Sequence, residues 1–135
     1  MRERYTIVSV LMGLALLAPI APAGAHHGAA TFETGKEVTL KGTVTEWIWA
    51  NPHCFLRFDA RDDTGMVRNW VAETQNPVSM TARGFSRSAF KAGDQVAVTV
   101  EPAKNGEPVA RVLSVVLANG KTLVAVGPQP AAPAP

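Results

Sequence analysis

The segment V-T-L-K-G-T-V-T-E-W, Val38 to Trp47, decides the fold class of this chain. Val38, Leu40, Gly42 and Val44 alternate with Thr39, Lys41, Thr43 and Thr45. Successive side chains of an extended chain point to opposite faces, so this alternation reads as a strand with one buried face. The run continues towards Trp49, and Asn51-Pro52 interrupts it, because proline has no N–H to give to a neighbouring strand. Trp47 and Trp49 share parity with the polar positions. They face outward in a regular strand and inward if Gly42 marks a bulge, and the inward arrangement is the preferred expectation.

Working outward from that strand, His53 to Asp59 predicts a second and Met66 to Thr74 a third, with Asp62 to Gly65 (D-D-T-G) turning between them. Asn76 can cap a helix, Pro77 suits its first position and Gly84 the position past its end, so a short helix is expected through Arg83. Ser86 can start one further turn ending near Phe90. Lys91 to Asp94 (K-A-G-D) then turns into Val96, Val98 and Val100, which alternate cleanly. Asn105-Gly106 leads to a fifth strand, Val109 to Leu117, and Asn119-Gly120 to a short sixth segment, Thr122 to Val126. The expectation is a mainly β protein. Its form is a small five- to six-stranded OB-like barrel with one short helix between strands 3 and 4. A β-sandwich is the alternative, because periodicity does not distinguish a closed sheet from an open one.

The barrel is expected to span residues 37–126 of the 135. Residues 1–25 read as a signal peptide: Arg2 and Arg4, an apolar run from Ile7 to Ala18, Pro19 and Pro22, then Ala23-Gly24-Ala25 as a cleavage site. The run is too short for a good membrane span, and no cysteine follows it to carry a lipid. The chain is therefore expected in the periplasm or secreted, with no stable membrane span after processing. Residues 26–36 form a segment bearing a histidine pair, and 127–135, G-P-Q-P-A-A-P-A-P, an extended tail without regular structure.

Removal of Arg2, Glu3 and Arg4 with the leader leaves eleven basic and ten acidic side chains, so the mature domain is nearly neutral. That argues against a nucleic-acid partner. Cys54 is the single cysteine, which excludes an internal disulfide despite the oxidising destination. It shares parity with Leu56 and Phe58, so it is expected to pack as a small buried apolar residue rather than to bind metal.

The chemistry-bearing residues are the three histidines, His26, His27 and His53. Cleavage after Ala25 makes His26 the first residue, with both an α-amine and an imidazole to offer one ion. One further imidazole completes a three-nitrogen set, similar to the histidine brace of exported copper proteins. Nitrogen ligands of this kind suit Cu(II), with Zn(II) or Ni(II) as alternatives. A cut after Ala23 leaves Gly24-Ala25-His26, which binds Cu(II) or Ni(II) through backbone amides instead. His53 follows Asn51-Pro52 at the start of a strand, where a rigid element can preorganise a ligand. The bland readings are solvated terminal histidines and a His53 that bonds a nearby carbonyl.

Two other functions are open from the sequence. Trp47, Trp49 and Phe55 facing outward would form a stacking surface, making the chain a non-catalytic envelope module for a protein or small ligand, its histidines structural. Catalysis has less support: no serine–histidine–acid order, phosphate loop or acid–base pair stands out. An open copper position allows redox chemistry, but no residue points to a substrate.

A-H-H-G at Ala25 to Gly28, V-T-L-K-G-T-V-T-E-W, N-P-H at Asn51 to His53 and K-A-G-D-Q-V-A-V-T-V from Lys91 resemble, in that order, a family of small exported bacterial proteins, domain-of-unknown-function family 6152. The resemblance runs from about Ala25 to Val126. Members of that family usually carry H-H-S at the mature start, and Gly28 stands here where the serine would be. The resemblance implies a periplasmic β-rich domain and supplies no activity, cofactor or substrate.

Overall fold

Alternating apolar residues build six strands and one helix in the computed structural model, which describes residues 31–129. They are β1 (Val38–Ile48), β2 (Phe55–Arg61), β3 (Val67–Glu73), α1 (Pro77–Ala82), β4 (Gln95–Pro102), β5 (Val109–Leu117) and β6 (Thr122–Val124). Hydrogen-bonded neighbours run β3-β2-β1-β4-β5-β6, and β3 also pairs with β5. That last pairing is parallel, through Val71 opposite Val109 and Glu73 opposite Arg111, whereas the others are antiparallel. It closes the first five strands into a barrel and leaves β6 as an extra strand on β5. Closure is what separates this OB-like barrel from the sandwich alternative, and it leaves no free edge on the five strands.

β1 serves both halves of the barrel. Val38 to Thr43 pair with β4, and Gly42 to Ile48 pair with β2. The two pairings overlap at Gly42 and Thr43, and β2 approaches Gly42 so closely that a Cβ there would lie 2.4 Å from the carbonyl oxygen of Asp59. Glycine is required there by space. The bulge lies further along: the register with β2 shifts between Val44 and Glu46, leaving Thr45 as the additional residue. An extra residue reverses the parity beyond it. Trp47 therefore stands opposite Leu56, and Trp47 and Trp49 pack against the core, as expected of a bulged strand, with the bulge at Thr45 rather than Gly42.

The core is the inward row of each strand. Val44, Leu56, Phe58, Val98, Val100, Val112 and Val115 are fully buried. Phe58 stacks on Trp70 with centroids 6.4 Å apart. Burying each such side chain contributes about 1.5–3 kcal/mol by transfer from water. Cys54 joins this cluster with no exposed surface, as its parity predicts, and burial pushes its thiol pKa up. α1 covers part of the core with Met80, its buried residue. The Asn76 side chain accepts from the Ser79 N–H at 2.9 Å, and Gly84 takes φ +83° past the helix end, as the sequence signals predict. Phe85 and Phe90 follow and meet Trp47, whose indole N–H donates to the Ser86 carbonyl at 2.9 Å.

Residues 31–36 lie along the end of β4. Phe32 is buried and bridges to Ala103, and the Lys104 N–H donates to the Thr31 carbonyl. Among the described residues, no helix is long and apolar enough to cross a membrane.

Candidate metal site at His53

β1 ends and the chain turns through Asn51-Pro52, whose peptide bond is cis, before His53 enters β2. His53 is half-buried. Its Nδ1 lies 2.8 Å from the backbone carbonyl oxygen of Thr74. A carbonyl only accepts, so this partner assigns the proton to Nδ1 and leaves the lone pair on Nε2. The bond to a nearby carbonyl is the structural role foreseen for this residue. A contact of the same kind orients the imidazole in metal sites generally. Phe55 meets the ring edge-on at 6.5 Å between centroids.

A row of side chains crosses the outer face of four strands beside it. Phe55 of β2 stands opposite Glu73 of β3, Glu73 opposite Arg111 of β5, and Arg111 opposite Glu101 of β4. Glu101 Oε2 accepts from the Arg111 Nε at 2.9 Å and from its Nη2, and Oε1 accepts from the Gly35 N–H at 2.8 Å. The Gly35 N–H and the Arg111 guanidinium hold the Glu101 carboxyl below its ordinary pKa. The Arg111 guanidinium carbon also lies 5.9 Å from the centroid of the Phe32 ring.

His53, Glu73, Gln75 and Arg111 line one cavity of about 290 Å³, walled on its apolar side by Val112 and Val126. A larger open groove of about 1000 Å³, between β1 and the start of β4, has no histidine in its lining. The His53 cavity therefore concentrates the groups that could act on an ion: one imidazole with a free lone pair, one carboxylate and one guanidinium.

Of the residues singled out by sequence, His53 is in place, while His26, His27 and both cleavage positions lie outside the described residues. Among the described residues, no group of three or more His, Cys, Asp and Glu side chains stands close enough to hold a metal. Glu73 and Arg111 carry no sequence signal of their own. Their parity makes them outward-facing, but only the β3–β5 register makes them neighbours. The stacking surface of Trp47, Trp49 and Phe55 is not assembled. The bulge sends both tryptophans against the core, and Phe55 stands opposite Ile48, one position out of phase with them.

No curated protein and no solved structure matches the chain. A family model does match, over residues 15–111, which take in β1 to β4 and the beginning of β5 with His53, Glu73 and Arg111. The chain therefore belongs to the family of unknown function DUF6152.

Proposed function

We propose that the mature protein is a periplasmic copper-binding protein that takes Cu(II) at its amino terminus, His26, His27 and His53. The observation that carries this reading is the bond from His53 Nδ1 to the Thr74 carbonyl, which leaves the Nε2 lone pair for a metal on a residue that lines a cavity with Glu73, Gln75 and Arg111. An imidazole held in one tautomer by a backbone acceptor is preorganised for a metal.

Chain reach supports the partnership with the terminus. His26 precedes Thr31 by five residues, which span at most about 17 Å when extended. Phe32 touches Arg111, and Arg111 lines the cavity that holds His53. Cleavage after Ala25 gives His26 its α-amine, whose reference pKa near 8 (about 7.7–8.0) lets a metal displace its proton at modest cost. Copper is favoured over zinc and nickel by the nitrogen set and by the Irving–Williams order.

The test is to purify protein processed in the periplasm, establish its terminus by mass spectrometry, and titrate it with Cu(II), Zn(II) and Ni(II). Stoichiometric Cu(II) binding is expected, weakened at least about tenfold by His53→Ala and by one extra residue before His26. Absence of binding, or equal binding by His53→Ala, rejects the shared site. Retention of a partner protein after deletion of His26 and His27 would instead favour an envelope module with structural histidines.

A further inference from the structure

We propose that the open groove on the outer face of the barrel seats an extended peptide of a partner protein, with carboxylates followed by aliphatic side chains. The proposal goes beyond the copper reading and does not depend on it, because His53 lines a different cavity. One cross-strand row gives the groove its character. Val67 of β3 stands opposite Arg61 of β2, Lys41 of β1 opposite Ala97 of β4, and Ala97 opposite Val116 of β5. Gly42 and Ala60 are partners, Lys41 precedes the one and Arg61 follows the other, so the two cations are neighbours. The whole row lines the groove of about 1000 Å³.

Like charges side by side on adjacent strands repel. Arg61 gives its Nη1 to the Gly65 carbonyl, and Lys41 has no acceptor among the described residues. Of the carboxylates in the lining, Asp59 accepts from the Asn69 amide, and Asp63 lies in the turn beyond β2. The cation pair is therefore complementary to an incoming carboxylate. At the other end of the row Val116 is 38% exposed, and between them the small Ala97 lets a backbone pass close to the sheet. Adjacent strands lie about 4.8 Å apart, so Lys41 to Val116 is about 10 Å, the span of roughly three extended residues. Among the described residues the lining holds no aromatic side chain on which a base would stack, which disfavours a nucleic-acid strand. An acyl chain laid in so open a groove would stay in contact with water, which disfavours a lipid.

The experiment measures fluorescence anisotropy of a labelled peptide with blocked ends, Glu-Glu-Ser-Ser-Val-Val, on the processed protein without added metal. Matched peptides carry lysine in place of glutamate or serine in place of valine. The parent peptide should bind, the lysine peptide at least about tenfold more weakly, and added salt should loosen the complex. Lys41→Glu and Arg61→Glu should each weaken binding about tenfold or more. Val116→Ser, like the serine peptide, should cost about threefold or more. Asp63→Asn, which removes a like charge from the rim, should tighten binding, and His53→Ala should leave it unchanged. Circular dichroism follows folding, and Lys41→Gln replaces either reversal that does not fold. No binding of the parent peptide, equal binding of the lysine peptide, or charge reversals without effect overturn the proposal. Lys41-dependent binding to phosphatidylglycerol vesicles without peptide binding overturns it as well and makes the groove a lipid contact.

Discussion

The backbone N–H of Gly35 donates to Glu101 Oε1 at 2.8 Å, across a sequence separation of 66 residues. This bond fastens the segment that leads back to the histidine pair onto the barrel, and Arg111 holds the other oxygen of the same carboxylate. One buried side chain thus ties the approach of the amino terminus to the row that runs through Arg111 and Glu73 to Phe55, beside His53.

Glu101→Ala should destabilise the domain by about 2–3 kcal/mol, because it leaves a partly buried guanidinium and a backbone N–H without their acceptor. Urea denaturation checks this as a lower midpoint at unchanged slope. Amide exchange at Gly35 should accelerate in the same variant, well beyond any change at Val98 in the core.

The same carboxylate sets an acid dependence. Its folded-state pKa lies below the unfolded value, so the folded state holds the charged form more strongly. The resulting stability is fully present above the unfolded carboxylate range, near pH 4.3 (about one unit of spread), and is lost as pH falls through the folded pKa. The gap in unfolding free energy between wild type and Glu101→Gln should therefore be constant at neutral pH and close below about pH 4. A gap that widens on acidification contradicts this sign. Asp62 and Asp94 are also lowered, by the Thr64 and Lys91 hydrogen bonds respectively, and the comparison cancels them because both remain in the variant.

Gly42→Ala places a methyl group against the Asp59 carbonyl, and relief requires β1 and β2 to separate. A loss of about 1–3 kcal/mol is expected in thermal or urea unfolding, the range for overpacking. Gly65→Ala offers the contrast. Nothing lies within 4 Å of its Cβ position, so any loss there comes from φ +84° alone.

Cys54 should be inert to thiol reagents in the folded protein, since burial both hides the sulfur and raises its pKa. Labelling by a disulfide reagent should follow the unfolded fraction across a urea titration. Rapid labelling without urea would mean that the core around Leu56 and Met80 opens locally.

Nitrogen-15 shifts of the neutral His53 ring should report the tautomer with hydrogen on Nδ1, as its bond to Thr74 requires. The opposite tautomer would remove Nε2 as the metal-facing atom and with it the basis of the proposed site.

Strand positions and buried faces were largely legible in the sequence because both follow from a period of two, which each segment carries locally. Val96, Val98 and Val100 show this directly, and the Asn76, Pro77 and Gly84 signals are equally local. The bulge was expected from the aromatic residues after it but misplaced, because Gly42 marks a close approach of strands and Thr45, an ordinary strand residue, is the inserted one. His53 could be singled out as a rare residue after Asn51-Pro52. Its hydrogen-bond acceptor, 21 residues away, could not.

The sequence by itself determined the order of strands and helix, the inward rows, the burial of Cys54 and the choice of His53. Only the tertiary structure decided that β3 and β5 close a barrel, and hence that Glu73 stands between Phe55 and Arg111 beside the imidazole. The physical reason is range. A strand's alternation is written in consecutive residues, whereas pairing register depends on which distant segment best buries the same core, and that choice is made by the whole chain at once.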